Sequence, residues 1–181
     1  SGKQQFEVRN IMILGGSRIG RKTAQNLGTQ HYFKLIEQDR QRSYQLSNLL
    51  SNTLVIHGDG TDLELLKHEG LDKMDAFVAV TGNSETNILS CLLAKHLGVK
   101  RTIAEVENID YIHLAENIAV DTIINKKLIT ASRIFRFTMS DEVSSLKCLT
   151  GTDAEVMEYI VKPDSIVTRG ELKDIDFPRD A

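Results

Sequence analysis

Short apolar runs alternate along this chain with amphipathic stretches of helical length. The apolar runs are typical of buried strands and lie at residues 11–14, 32–36, 54–56, 76–80, 102–104 and 122–124. The stretches with helical spacing lie between them, at residues 22–27, 40–50, 63–69, 84–97 and 111–117. Strands that alternate with helices form a parallel sheet with both faces covered. The pattern therefore predicts an α/β fold with a doubly wound parallel sheet.

The pattern changes after residue 126. Apolar residues at helical spacing predict one further helix; they are Leu128, Ala131, Ile134, Phe135 and Met139, with Phe137 beside them. From Glu155 polar and apolar residues alternate until Pro163 breaks the pattern, which favours a small β-containing lobe. About thirty residues are too few for an independent core, so we expect this lobe to be truncated.

These patterns divide the chain into four segments. Residues 1–9 are interpreted as a remnant of tag removal followed by a linker. Residues 10–126 form the α/β domain, and residues 127–150 form a helix and a linker. Residues 151–181 begin the C-terminal lobe.

The sequence GGSRIG follows the first predicted strand and precedes the first predicted helix. Glycines at such a bend let the backbone approach a pyrophosphate, whose charge is stabilised by the N–H groups at the helix start. The dinucleotide-binding pattern has glycine at its first, third and sixth positions, and here the third is Ser17. The serine hydroxyl can instead donate a hydrogen bond to a phosphate. The loop favours a dinucleotide site, with a plain strand-to-helix turn as the alternative.

Glu37 ends the second predicted strand, 22 residues after Gly15. A carboxylate in this place accepts hydrogen bonds from both hydroxyls of an adenosine ribose, and it repels a 2′-phosphate. Glu37 therefore favours NAD over NADP, with a solvated charge at a strand end as the alternative. Asp39, two residues further on, is expected to cap the following helix.

Two further loops follow strands at the same edge of the predicted sheet, where open α/β sheets bind their ligands. The loop at 57–61 contains Asp59 and Thr61, and we expect it to border an adenine ring. The loop at 81–84 is expected to approach the other half of a dinucleotide. Its Thr81 and Ser84 serve equally well as caps of the next helix, so both interpretations stay open.

Composition and charge exclude several classes of function. The 22 basic and 25 acidic residues are mixed along the chain and give a net charge of −3, so we expect no nucleic-acid partner. No apolar run approaches the ~18 residues of a membrane span, so direct membrane insertion is not expected. Cys91 and Cys148 are too few for a disulfide scaffold and indicate reduced thiols in a cytosolic protein. The five histidines show no metal-ligand spacing, so no metal site is expected.

Several enzyme motifs share parts of this pattern but do not fit it. Arg21 stands where a P-loop requires lysine. Ser17 lacks the glycine two residues later that a nucleophile elbow needs. No tyrosine is followed four residues later by lysine, the pair that short-chain dehydrogenases use. We therefore predict no catalytic residues, with an NAD-dependent oxidoreductase as the alternative.

From Ile11 to its end the sequence resembles the RCK (KTN) domains that regulate potassium transport, in particular those of Trk-type uptake systems. The stretches that carry the resemblance are IMILGGSRIG, LIEQDRQR, TLVIHGDGTDLELLKHEG, DAFVAVTGNSETNILSCLLAKHLG, KKLITAS and AEVMEYIVKPDSIV. The family pattern usually has glycine at the position of Ser17. Because a charged segment at 3–9 precedes the first strand, we expect the second RCK module of a longer protein.

The resemblance implies a Rossmann-like nucleotide-binding fold in a cytoplasmic regulatory subunit without enzymatic activity, at the inner face of the cell membrane. NAD(H), or ATP and ADP in relatives, would bind this lobe and rearrange a ring of subunits that gates a membrane-embedded K⁺ transporter. The helix at 127–139 would be the crossover that packs against another copy in a dimer. Burial of that helix in its own lobe is the alternative.

By position, the resemblance also implies which residues contact the nucleotide. Those that would hold the phosphates are Gly15, Gly16, Ser17, Arg18, Ile19 and Gly20. Glu37 would bind the adenine-side ribose. Asp59 and Thr61 would line the base, and the nicotinamide side would be formed by Thr81 and Asn83. NADH, NAD⁺ and ATP or ADP stay open as the effector.

Overall fold

The computed structural model of the chain describes residues 7–118, 120–138, 143–148 and 155–175. The chain divides into two units, one spanning Ser1–Lys126 and the other Lys127–Ala181. A parallel sheet with its helices makes up the first unit, and a helix and a strand pair make up the second.

The six predicted strands form the sheet of the first unit. They are β1 (Asn10–Leu14), β2 (Tyr32–Glu37), β3 (Thr53–His57), β4 (Ala76–Ala79), β5 (Arg101–Glu105) and β6 (Thr122–Ile124). Their order is β3-β2-β1-β4-β5-β6, and all neighbouring pairs are parallel. The predicted doubly wound α/β fold is confirmed. Because the strand order reverses between β1 and β4, the carboxyl ends of these two strands are the place where such a sheet forms a crevice.

Five helices connect these strands, and most of them begin after a capping side chain. They are α1 (Arg18–Leu27), α2 (Arg40–Leu49), α3 (Leu63–His68), α4 (Ser84–His96) and α5 (Asp110–Asn117). Asp39 caps α2 as predicted, by accepting the N–H of Arg42 at 2.7 Å. At α4 the cap is Asn83, and neither Thr81 nor Ser84 takes that role.

The first helix begins four residues earlier than the helix predicted from residue 22. Ser17 causes the early start, because its hydroxyl oxygen accepts the N–H of Gly20 at 3.3 Å and so caps the first turn. The φ of Ser17 is −58°, so a serine fits there without backbone strain. As a consequence Arg18 and Ile19 belong to the first helical turn.

The core lies on both faces of the central strands. Met12 and Ile13 of β1, Leu35 of β2 and Phe77 of β4 have no exposed surface. Cys91 of α4 is equally buried, and burial raises the pKa of its thiol to about 12. At neutral pH Cys91 is therefore a protonated and unreactive core residue, in line with the reduced thiol expected from the sequence.

The second unit contains the predicted additional helix, apart from its first residue, and a strand that was not predicted. The helix is α6 (Lys126–Thr138), and the strands β7 (Val143–Cys148) and β8 (Glu155–Tyr159) pair antiparallel. The alternation from Glu155 predicts β8, whereas β7 lies where a linker was expected. The sequence VSSLKC has no regular alternation, and only pairing with β8 makes it a strand. Met139, predicted on the helix, lies outside the described residues.

Part of the predicted apolar stripe on α6 is exposed in the single chain. Ile134 is more than half exposed and Phe137 is 77% exposed, and Ile129, which is not part of the predicted stripe, is also more than half exposed. None of the described helices is both long enough and apolar enough to span a membrane.

Replacing Gly20 by alanine is expected to destabilise the chain. A Cβ at Gly20 would overlap the carbonyl oxygen of Gly15 and press on Ile13 and Val80, each 3.2 Å away. Overpacking of this kind costs about 1–3 kcal/mol, which exceeds the roughly 0.5–1 kcal/mol that alanine gains over glycine in a helix. Urea unfolding of the Gly20→Ala variant measures the difference.

The matched control is Gly82→Ala, because nothing lies within 4 Å of the Cβ position at Gly82. Its free energy of unfolding is expected to stay within about 0.5 kcal/mol of the parent chain. Equal stability of the two variants would show that α1 does not pack closely on the loop.

Candidate functional site

A crevice opens at the carboxyl ends of β1, β2 and β4, where the strand order of the sheet reverses. Its volume is about 330 Å³, which is in the range of small-molecule sites. The residues that line it are Leu14, Gly15, Gly16, Ser17, Ile36, Glu37, Gln38, Arg42, Asp59, Gly60, Thr81, Gly82, Asn83 and Thr86.

The glycines of the β1–α1 loop shape one wall of this crevice. Gly15 has a φ of +100°, which side-chain-bearing residues rarely adopt, and its N–H donates to a β2 carbonyl at 2.9 Å. The N–H of Gly16 donates to Oε2 of Glu37 at 2.9 Å, and that of Gly20 donates to Ser17. All three glycine N–H groups thus donate to acceptors within the protein and are not available to a ligand. These glycines contribute to the crevice through the absence of a side chain and through their backbone conformation.

The N–H groups that open α1 are the ones suited to an anion. Arg18 and Ile19 lie in the first turn, where helix geometry supplies no intrahelical carbonyl partner. These groups also present the positive end of the helix dipole beside the crevice. Neither Arg18 nor Ile19 lines the crevice itself, which ends at Ser17 on this side.

Glu37 places a carboxylate at the rim of β2, with 11% of its side chain exposed. Oε2 accepts the N–H of Gly16 at 2.9 Å, and Oε1 accepts the N–H of Asp39 at 3.0 Å. A carboxylate oxygen accepts two hydrogen bonds, so each oxygen retains one acceptor position. Two neighbouring acceptor positions match the two adjacent hydroxyls of a ribose.

Arg42 also lines the crevice, although no motif in the sequence predicts it there. Its Nη2 donates to the carbonyl of Gly16 at 3.0 Å, and its Nε lies 3.7 Å from Oε2 of Glu37. The sequence nevertheless contained a signal for this residue. The predicted cap Asp39 places Arg42 in the first turn of α2, at the positive end of the helix dipole. A cation is unfavourable there unless an anion is near, so an arginine at this position favours an anion-binding role.

The loop between β4 and α4 is held by a buried amide. Asn87 is 1% exposed, and its Oδ1 accepts the N–H and the hydroxyl of Thr81 at 3.0 and 2.6 Å. Its Nδ2 donates to the carbonyls of Thr81 and Glu105 at 3.1 and 2.8 Å. These four hydrogen bonds use the full capacity of the amide. Asn83 of the same loop accepts the N–H of Thr86 at 2.6 Å through its side chain.

Asp59 faces the crevice from the loop after β3. Its Oδ1 accepts the N–H and the hydroxyl of Thr61 at 2.9 and 2.8 Å. These hydrogen bonds, the backbone one first, hold the pKa of Asp59 below its usual value, so the group is charged at neutral pH. Thr61 donates both its N–H and its hydroxyl to Asp59 and does not itself line the crevice.

The structure brings together most of the predicted site residues. Those that line the crevice are Gly15, Gly16, Ser17, Glu37, Asp59, Thr81 and Asn83. Those that do not line it are Arg18, Ile19, Gly20 and Thr61. Lining residues without a predicted role are Leu14, Ile36, Gln38, Arg42, Gly60, Gly82 and Thr86. Apart from Arg42, they are strand ends, glycines and small polar residues whose place depends on how the strands align.

An ion-pair cluster lies at the end of β5, next to the carbonyl that Asn87 contacts. Lys126, the first residue of α6, places its Nζ 2.6 Å from Oε1 of Glu105 and 2.7 Å from Oε1 of Glu107. The hydrogen bonds to these carboxylates, that of Glu105 first, raise the pKa of Lys126. Within the described ranges, no group of three or more His, Cys, Asp or Glu side chains is arranged to hold a metal ion.

The TrkA-N domain family matches residues 11–126 of the chain. The Trk system potassium uptake protein trkA homolog 1 of Methanosarcina mazei is 32% identical over 182 residues, which cover 99% of this chain and 45% of the relative. The Trk system potassium uptake protein TrkA of Vibrio alginolyticus is 35% identical over 173 residues, which cover 94% of this chain and 38% of the relative. The chain thus spans less than half the length of these curated relatives.

Solved structures share the fold. The TrkA-N domain of the inner membrane protein ybaL from Escherichia coli has a TM-score of 0.67 at 13% identity, covering 74% of this chain and 98% of its own. The GsuK channel bound to NAD has a TM-score of 0.63 at 19% identity, covering 71% of this chain and 23% of its own. GsuK bound to ADP has a TM-score of 0.61 at 23% identity, covering 71% of this chain and 33% of its own. The resemblance inferred from the sequence motifs is confirmed by these matches.

Replacing Asn87 by alanine is expected to destabilise the first unit. The substitution leaves the Thr81 N–H and the carbonyl of Glu105 without their partner in a buried place. Each buried group left unsatisfied costs about 1–3 kcal/mol, so a loss in that range or above is expected on urea unfolding. Asn26→Ala is the control, because Asn26 is an exposed residue of α1. If both variants unfold at the same urea concentration, Asn87 does not hold the loop.

Proposed function

This chain belongs to the TrkA-N domain family, and on that premise we propose that its crevice binds NAD(H) as a regulatory ligand. The observation that carries the proposal is the carboxylate of Glu37, which lies beside the glycine loop with one acceptor position left on each oxygen. An adenosine ribose offers two hydroxyls at that spacing. The carboxylate would bind the sugar while the phosphates lie against the start of α1.

The phosphate half of the proposal depends on the first turn of α1. The N–H groups of Arg18 and Ile19 are directed by the helix toward its amino end, and the dipole adds a positive field there. Ser17 lines the crevice and orients this turn through its bond to Gly20. A pyrophosphate at this position would be stabilised as in other strand–loop–helix nucleotide sites.

Two ligands are supported by what related structures contain. One GsuK structure is bound to NAD and another to ADP, and both share the fold of this chain. The ribose and diphosphate are common to both ligands, so Glu37 and α1 serve either one. The free 2′-hydroxyl that Glu37 would bind is present in NAD(H), ADP and ATP alike. NAD(H) is the first candidate because the crevice also extends past Thr81 and Asn83, where a second nucleoside half would lie, and ADP or ATP is the second.

The regulatory role is proposed from the relatives, which are named for Trk system potassium uptake. The protein would be a cytoplasmic subunit at the inner face of the membrane that gates a membrane-embedded K⁺ transporter, with no catalytic step of its own. The exposed apolar residues of α6, such as Ile134 and Phe137, support packing against a second copy, in a dimer that assembles into a ring. Bound nucleotide shifts such an assembly only if it binds one arrangement more tightly.

The Glu37→Gln variant tests the site, because it keeps the size of the side chain and removes its charge. A hydrogen bond to a charged group contributes about 1.5–3 kcal/mol, so the dissociation constant for NADH is expected to rise about tenfold or more. Isothermal titration calorimetry of the 181-residue chain with NAD⁺, NADH, ADP and ATP measures the affinity and the preference together.

Glu64→Gln is the matched control, because Glu64 lies on α3 with 84% of its side chain exposed and does not line the crevice. Its affinity for NADH is expected to equal that of the parent chain. Absence of heat with all four nucleotides would contradict the proposed function. Binding that Glu37→Gln leaves unchanged would remove this carboxylate from the site.

A further inference from the structure

A second cavity adjoins the crevice and lies between α1 and α2. Its volume is about 470 Å³. Three arginines line it: Arg18 and Arg21 from α1, and Arg42 from α2. Leu46 and Leu49 add an apolar wall. None of the side chains that line this cavity, which we call the arginine pocket, is acidic.

The guanidinium of Arg21 is incompletely satisfied. Its Nε is buried and has no hydrogen-bond partner among the described residues. A buried donor without a partner costs free energy, and such groups in native proteins commonly have a ligand, an ion or a water as their partner. Guanidinium groups offer planar, charge-assisted donors that match the oxygens of a phosphate.

The helix ends add to the positive field of the arginine pocket. Both α1 and α2 begin with arginines, and neither helix has an acidic residue in its first turn. By contrast α3, α4 and α5 each have an acidic residue there, which is the electrostatically favoured arrangement. At α2 the carboxylate of the cap Asp39 lies at the helix end, whereas α1 is capped by the neutral Ser17. Arginines at the start of α1 are therefore unfavourable in the isolated chain, and a bound anion would offset that cost.

The arginine pocket and the nucleotide crevice meet at one wall. Gly16 and Arg42 line both cavities, and Arg42 reaches from the arginine pocket to the carbonyl of Gly16. The Nε of Arg42 also lies 3.7 Å from the carboxylate of Glu37. A substituent on the ribose hydroxyl nearest Glu37 would therefore extend toward Arg42 and into the arginine pocket.

On the premise that the crevice binds a nucleotide, as proposed above, we propose that the arginine pocket is an accessory phosphate site. The phosphate it takes is additional to the pyrophosphate. It comes either from the 2′-phosphate of a bound NADP(H) or from free inorganic phosphate beside bound NAD(H). Arg21 and Arg18 bind this phosphate, and Arg42 joins it to the nucleotide.

This site modifies the preference that Glu37 alone would set. A lone carboxylate repels a 2′-phosphate, but here the carboxylate accepts two N–H groups and has Arg42 beside it. The guanidiniums of Arg18 and Arg21 in the arginine pocket add two further positive charges. If the phosphate belongs to the nucleotide, the chain accepts NADPH as well as NADH. If it is free phosphate, phosphate binds beside NAD(H) as a second ligand.

The test compares Arg21→Gln with Lys22→Gln, the neighbouring basic residue of α1, which does not line the arginine pocket. Calorimetry with NADH and with NADPH gives the ratio of the two affinities for each chain. A further titration adds inorganic phosphate to the NADH-saturated chain at constant ionic strength. Circular dichroism checks folding, and Arg18→Gln, at an exposed position, replaces Arg21→Gln if that variant does not fold.

Loss of one charge-assisted contact is expected to lower the NADPH-to-NADH affinity ratio about tenfold in Arg21→Gln, whereas Lys22→Gln leaves it unchanged. That result assigns the phosphate to the nucleotide. If inorganic phosphate binds the NADH-saturated parent chain and Arg21→Gln abolishes that binding, the site is supported with free phosphate as its occupant. An unchanged ratio together with no phosphate binding overturns the inference. NADH binding is measured in the same series. Absence of NADH binding in the parent chain would contradict the proposed function, whereas failure of the phosphate site alone would leave it unchanged.

Discussion

The hydrogen bond from the N–H of Gly16 to the carboxylate of Glu37 joins the two halves of the candidate site. Gly16 belongs to the loop after β1, and Glu37 is the last residue of β2. The parallel register between these strands sets Leu14 opposite Ile36, so the loop and the carboxylate meet at one edge of the sheet. A nucleotide that spans phosphate and ribose needs both groups at a fixed separation. The alignment of two buried strands supplies that separation, and it explains why most of the site follows from the fold.

The first turns of α1 and α2 run against local electrostatic preference, because they contain arginines at the positive ends of the helices. This arrangement has a cost when the chain is considered alone. Proteins tolerate such costs mainly at functional sites, and here they occur around one crevice and the arginine pocket beside it. Ser17, by contrast, fits its place, because a serine that replaces the usual glycine also caps the helix.

The crevice is connected by direct contacts to the start of α6. Thr81 bonds to Asn87, Asn87 bonds to the carbonyl of Glu105, and the carboxylate of Glu105 pairs with Lys126. All of these contacts lie within the first unit. They form a continuous series of polar contacts from the β4–α4 loop to the first residue of α6. These contacts by themselves do not show energetic coupling between the crevice and α6. Coupling requires that a bound nucleotide favour one of two arrangements of these groups.

The apolar pattern of the chain was sufficient to predict the sheet, because buried parallel strands need continuous apolar runs and the helices between them need an apolar stripe. The candidate carboxylate was equally predictable, since Glu37 ends the second strand at a spacing from Gly15 that this fold fixes. The early start of α1 at Arg18 and the role of Asn83 as a cap depend on local hydrogen bonds, which the apolar pattern does not encode.

Which residues meet at the walls of the crevice depends on the packing of the whole unit. Arg42 reaches Gly16 because α2 packs beside the β1–α1 loop, and Asp59 lines the crevice whereas its hydrogen-bond partner Thr61 does not. The strand β7 has no pattern of its own and exists through its pairing with β8. Contacts between residues distant in sequence depend on strand register and helix packing, and neither periodicity nor motif spacing contains that information.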